Sequence, residues 1–157
     1  MKRNLRIQIL ALTISLLLGA LPAVAAERPF ALNGNGVATF ITDGAGNIIG
    51  ANVTISGTAT HLGMYTAVGT VQFTPDPGNP SRLLSSATAT FTAANGDRLQ
   101  IKFNGSLDPA TGNDMGAIQF VGGAGRFDGV SGAGDFVVEL NPATGAFKLT
   151  VVGRINF

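Results

Sequence analysis

Phe147-Lys148-Leu149-Thr150-Val151-Val152-Gly153-Arg154-Ile155-Asn156-Phe157 decides the fold. Phe147, Leu149, Val151, Gly153, Ile155 and Phe157 share one parity. Lys148, Thr150, Val152, Arg154 and Asn156 share the other. In an extended chain successive side chains point to opposite faces, so this run reads as a strand with one buried and one solvated face. The same pattern recurs upstream. Leu99, Ile101 and Phe103 alternate with Gln100, Lys102 and Asn104. Ala87, Ala89, Phe91 and Ala93 oppose Thr88, Thr90 and Thr92. The run from Ile49 puts Ala51, Val53, Ile55, Gly57, Ala59 and His61 on one face.

Eight such runs are expected, at 29–41, 47–61, 64–73, 83–94, 98–107, 115–121, 132–140 and 146–157. One apolar and one polar face per run is the signature of antiparallel strands. Nine of the ten Phe fall on the apolar parity, and Phe127 alone lies in a loop. Small residues share that parity, among them Gly34, Gly36, Ala38, Gly57, Ala67, Gly69 and Gly153. Mixed large and small side chains fill the interior of a small barrel. Eight strands leave room for those side chains or for one small ligand. Closure also removes the exposed edges that an open Thr-rich sheet would present. The expected fold is therefore all-β, a closed antiparallel eight-stranded up-and-down barrel.

The N-terminus carries a different signal. Lys2, Arg3 and Arg6 precede an apolar stretch from Ile7 to Leu21, and Ala23, Val24 and Ala25 follow. Basic, apolar and small segments in that order make a cleavable signal peptide. The apolar core is short for a membrane span, which needs about 20 residues. The expected organisation is a signal peptide over 1–26 and one barrel domain over 27–157, exported to the periplasm or beyond the cell. Without the signal the chain keeps seven Lys and Arg against nine Asp and Glu, a net charge near −2. No basic patch remains for nucleic acid or anionic lipid. Cysteine is absent, which excludes thiol chemistry and a disulfide framework. A single histidine argues against a zinc centre, and no metal or cofactor is expected.

In an up-and-down meander alternate turns lie at opposite ends. The connections near 43–47, 74–82, 108–114 and 141–145 share one end, where five prolines collect. Those near 61–63, 95–97 and 122–131 share the other, with His61, Asn95, Asp97, Arg126, Phe127 and Asp128. This second rim is the chemically better equipped one, and His61, Tyr65, Asn95, Asp97 and Arg126 are the candidate ligand-binding residues. His61 has two readings, a mouth-lining residue bonded to backbone or an acid–base group. Tyr65, the only tyrosine, shares its inward parity at that end. Asn95-Gly96-Asp97 reads first as a tight hairpin turn. Gly122-Gly123-Ala124-Gly125-Arg126-Phe127 lacks the Lys-Ser/Thr of a phosphate loop. Its glycines let the chain turn, Phe127 plugs the barrel, and Arg126 pairs with Asp97 or Asp128 or meets an anionic ligand. Asp108, Asn113 and Asp114 fit no calcium-loop spacing. Leu107-Asp108-Pro109-Ala110-Thr111-Gly112 recurs as Leu140-Asn141-Pro142-Ala143-Thr144-Gly145, one turn used twice.

Three stretches carry a resemblance: Gly57-Thr58-Ala59-Thr60-His61-Leu62-Gly63, Phe91-Thr92-Ala93-Ala94-Asn95-Gly96-Asp97, and Gly122-Gly123-Ala124-Gly125-Arg126-Phe127 followed by Gly132. Together they resemble small exported bacterial proteins of unassigned activity. The Gly-Gly-x-Gly-x-Phe loop also resembles that of dirigent proteins and allene oxide cyclases. That resemblance implies a calycin-like eight-stranded barrel with an apolar cavity, and a homo-oligomer, commonly a trimer. The activity is not implied. The cyclases use a Glu deep in the cavity, whereas Glu139, the only Glu in the strands, has outward parity here. Three functions stay open: a barrel binding a small apolar ligand, a cyclase, isomerase or dirigent-like enzyme acting on a hydrophobic small molecule, and a purely structural or interaction barrel. An outer-membrane barrel is disfavoured. Such barrels face lipid with aromatic girdles and keep a polar lumen, whereas Phe here lies on the face opposite to Lys and Arg.

Overall fold

The computed structural model describes residues 26–157; the expected signal peptide, over 1–26, lies almost wholly outside the described residues. The strands are β1 (Arg28–Thr42), β2 (Ile48–Ala59), β3 (Gly63–Pro75), β4 (Leu83–Ala93), β5 (Arg98–Asp108), β6 (Asn113–Ala124), β7 (Ser131–Leu140) and β8 (Ala146–Asn156). Each pairs antiparallel with its sequence neighbours, and β8 closes on β1 with Leu32 opposite Val151. The barrel is complete, so every central strand edge is satisfied.

The expected parity holds around the wall. Leu32, Ile55, Phe91, Leu99, Ile101, Ile118, Val151 and Ile155 are buried inside, while Lys102, Thr88 and Lys148 stand outside. Burial of each large apolar side chain contributes about 1.5–3 kcal/mol. Tyr65, Phe91, Phe103 and Phe136 form a continuous aromatic file along the interior, with centroids 5.1, 6.4 and 5.3 Å apart.

Several strand ends differ from the sequence expectation, and those of β2 and β6 matter for the site. β2 stops at Ala59 rather than 61, because Thr60, His61 and Leu62 form the turn and His61 takes a left-handed φ of 65°. Histidine tolerates that region better than most side chains. β6 begins at Asn113 rather than 115 and runs to Ala124. The reason lies in the preceding turn. Gly112, at φ 75°, donates its N–H to the Asp108 carbonyl at 2.8 Å, and Asn113 then pairs directly with Asp108 and with Glu139. Asp114 thereby becomes a strand residue with inward parity.

The repeated turn is built identically both times. Asp108 Oδ1 accepts the Ala110 N–H at 2.9 Å, and Asn141 Oδ1 accepts the Ala143 N–H at 3.0 Å. Gly145 N–H donates to the Asn141 carbonyl at 2.8 Å, as Gly112 does to Asp108. Asp and Asn side chains closing on their own backbone fix the turn. Each turn also binds a neighbour, through Leu140 N–H to the Gly112 carbonyl and Ala38 N–H to the Gly145 carbonyl.

Candidate functional site

The two ends of the barrel are filled differently. At the end holding the 60–62, 94–97 and 125–130 connections, Gly125–Phe127 forms a short 3-10 turn that swings Phe127 into the barrel. Phe127 is fully buried against Phe157, with ring centroids 5.1 Å apart, and joins Phe30, Phe120, Leu62, Val130 and Ile155 in one core. This end is plugged.

Toward the opposite end the interior is hollow. A cavity of about 80 Å³ is lined by inward residues from all eight strands. Its floor includes Ile55, Ala89 and Phe103, which are buried, and its mouth includes Phe40, Phe73, Leu140 and Phe147, which are half-exposed. Small side chains make the space: Ala38, Ala51, Gly69 and Ala87 occupy wall positions that carry large residues elsewhere. The lining is apolar except at Ser85 and Asp114.

Those two residues meet across a strand. Ser85 on β4 pairs with Gly105 on β5, while Asp114 on β6 pairs with Leu107. Ser85 Oγ donates to Asp114 Oδ1 at 2.9 Å over the top of Gly105. A Cβ at position 105 would lie 2.7 Å from Asp114 Oδ1 and 2.6 Å from the Phe136 ring, so only glycine leaves this gap. Asp114 is 8% exposed. Burial pushes its carboxyl up to about 6, against the opposing effects of the Ser85 hydrogen bond, the Arg82 charge and the Met115 backbone. Arg82 itself is tied to Ser106, donating from Nε to Oγ and from Nη2 to the carbonyl, both at 2.7 Å. It makes no ion pair with Asp114.

The five residues singled out in the sequence do not line this cavity. Four of them cluster at the plugged rim. Arg126 Nε pairs with Asp97 Oδ2 at 2.7 Å, Arg126 Nη1 donates to the His61 carbonyl at 3.0 Å, and Asn95 Nδ2 donates to Asp97 Oδ2 at 2.8 Å. Arg126 and Asn95 hold the Asp97 carboxyl below the usual carboxylate range. Gly125, at φ 71°, packs its α-carbon so close to Asp97 that any side chain there would collide with the carboxylate. The His61 ring stacks edge-on against Phe157 at 5.4 Å and bonds through Nε2 to the Pro29 carbonyl at 3.1 Å. Tyr65 is apart from these, buried in the core, with its hydroxyl donating to the Asn33 carbonyl at 3.3 Å. Burial raises its phenol to about 12. Together these contacts pin the β2–β3, β4–β5 and β6–β7 connections to one another.

Ser85 and Asp114 were not among the sequence candidates, although a signal for them existed. The repeated turn sets Gly112-Asn113-Asp114 against Gly145-Ala146-Phe147, and Phe147 lies on the inward parity. By that alignment Asp114 points inward as well.

Solved structures share this architecture. The pterocarpan synthase dirigent protein PsPTS1 superposes with a TM-score of 0.55 at 15% identity, covering 82% of this chain and 95% of that one. The pterocarpan synthase dirigent protein GePTS1 gives 0.55 at 12% identity, covering 85% and 93%. The barrel is dirigent-like. Identities this low speak to the fold and leave the activity to be argued from the site. No protein-family model and no curated protein matches the chain.

Proposed function

We propose that this dirigent-like barrel, after export, binds a small, mainly apolar molecule in the cavity lined in part by Ser85 and Asp114. One observation carries the reading: an apolar pocket open at one end, whose polar lining is a single buried Ser–Asp pair. Apolar walls with a few convergent polar groups are the usual form of a small-molecule site. At about 80 Å³ the closed part takes one ring or a short branched chain, with the rest of a larger ligand reaching out past Phe40, Phe73 and Phe147. Access is assigned to this end because Phe127, Leu62 and Val130 fill the other. The rim of His61, Asn95, Asp97 and Arg126 is then a clasp that keeps the plug in place.

Ala87→Leu tests the reading. Ala87 lines the cavity and is partly buried, so a larger side chain there takes up cavity space. Titration with benzyl alcohol should show saturable binding to the wild type and at least about tenfold weaker binding to Ala87→Leu, about 1.4 kcal/mol. Equal binding to both proteins would place the ligand elsewhere.

A second reading, catalysis on the bound molecule, is favoured by one observation. The Asp114 carboxyl, raised to about 6, exchanges its proton near neutral pH while facing an apolar pocket. It is a general acid or base of suitable strength for an isomerisation or cyclisation.

A further inference from the structure

Charge is distributed unevenly between the two ends. Around the hollow end lie Asp43, Asp76, Asp108, Asp114 and Glu139, against Arg82 and Lys148, a balance of −3. Arg82 is engaged by Ser106, and Lys148 stands opposite Glu139 in the β7–β8 register. At the plugged end Arg28, Arg98, Arg126 and Arg154 face Glu27, Asp97 and Asp128. A charged ligand approaching the mouth therefore meets a negative potential, and inside it meets a carboxylate with no ion-pair partner among the described residues.

We propose, building on the binding site above, that the cavity selects cationic amphiphiles: molecules with a small apolar body and a protonated amine that pairs with Asp114. Three facts converge on this class. Asp114 Oδ1 accepts from Ser85 Oγ, and a carboxylate has lone pairs for a further donor. Its partners in the flanking strands, Leu107 and Val138, are apolar and supply no counter-charge. Asp108 and Glu139, next in sequence to those partners, stand on the outward parity of β5 and β7 and repel anions at the mouth. A buried carboxylate without a partner is costly, and an ammonium that fills the pocket relieves that cost. A carboxylate ligand adds a second negative charge instead. A neutral alcohol makes the hydrogen bond without the charge assistance.

Three probes of one shape separate these cases: benzylamine, benzyl alcohol and benzoate, titrated against the full-length mature protein at pH 7.5 and about 0.15 M salt. At that salt the mouth carboxylates act over no more than about 8 Å, so the preference reports mainly on Asp114. Benzylamine should bind about tenfold tighter than benzyl alcohol, and benzoate should not bind. At pH 5, where Asp114 is mostly protonated, the advantage of benzylamine should fall to about twofold or less, while benzyl alcohol is unchanged. Asp114→Asn, whose fold is checked by circular dichroism, should remove the preference at both pH values and keep benzyl alcohol binding. Benzyl alcohol binding as tightly as benzylamine, or benzoate competing with it, overturns the charge selection and leaves the binding site standing. Failure of all three probes overturns the binding site and the selection together.

Discussion

The two ends of this barrel use the same wall and reach opposite results. At the Phe127 end, large rings converge and fill the interior: Phe30 and Phe120 meet at 4.9 Å, Phe127 and Phe157 at 5.1 Å. At the Asp114 end the same inward parity carries Ala38, Ala51, Ala87 and Ser85, and the space they leave is a cavity. The polar chemistry follows an inverse rule. At the plugged rim the sequence candidates are satisfied by one another: Arg126 with Asp97 and the His61 carbonyl, Asn95 with Asp97. The cavity at the hollow end has one polar pair in its lining, Ser85 with Asp114. A rich set of reactive side chains can be tied up among themselves, while a single buried acid faces an apolar cavity.

Truncating one ring at each end breaks the comparison most forcefully. Phe127→Ala should cost about 3–5 kcal/mol, because the ring is fully enclosed and its neighbours cannot collapse. Phe147→Ala, at the half-exposed mouth, should cost about 1–2 kcal/mol and widen the cavity. Chemical denaturation of both variants checks this, and equal losses would show that the mouth is packed as tightly as the plug.

Asp114→Asn sharpens the contrast from the other side. The folded carboxyl titrates near 6 against an ordinary value of 3.8, so the folded state holds its proton more tightly than the unfolded one. Its contribution to stability is fully present below about pH 4 and is lost as pH rises through about 6. The loss is on the order of 3 kcal/mol. The wild type should therefore weaken between pH 4 and 7, and Asp114→Asn should be flatter over that window and more stable at pH 7.5. Thermal melts across the range decide it; parallel profiles would mean that Asp114 is well solvated. A group that destabilises the apo barrel at neutral pH fits a binding role better than a structural one.

The smallest effects belong to the rim. Arg126→Ala removes an exposed ion pair and should lower Tm by less than about 4 °C. His61→Ala should act on stability alone, leaving benzyl alcohol affinity within about twofold. A large loss of affinity in either variant would return the binding site to the rim.

Much of the wall was legible in the sequence because alternation with a period of two is a direct consequence of strand geometry, and eight such runs leave closure as the economical solution. Phe127 was also legible as a plug, since a lone Phe in a glycine-rich loop has only the barrel end to cover. The hollow end was not. Reading Pro109 and Gly112 as a loop that ran on to Asp114 hid the first two residues of β6, and with them the inward acid. Ser85 was hidden among the exposed serines and threonines of β4, although counting back from Phe91 places it inside. The rim drew notice because it holds His61 and Arg126, while the contacts that tie them together were not legible. Sequence shows which groups are present, but it does not show that Asp97 and a carbonyl have already consumed them.

Methyl NMR of the wild type titrated with benzylamine at pH 7.5 tests the one-ended barrel most directly. Ala51, Ala87, Val138 and Leu149 line the cavity, whereas Leu62, Val130 and Ile155 pack at the plug. The first group should shift saturably and together, with the second group unmoved. Shifts confined to Leu62, Val130 and Ile155, or no saturable shift at all, would contradict the account.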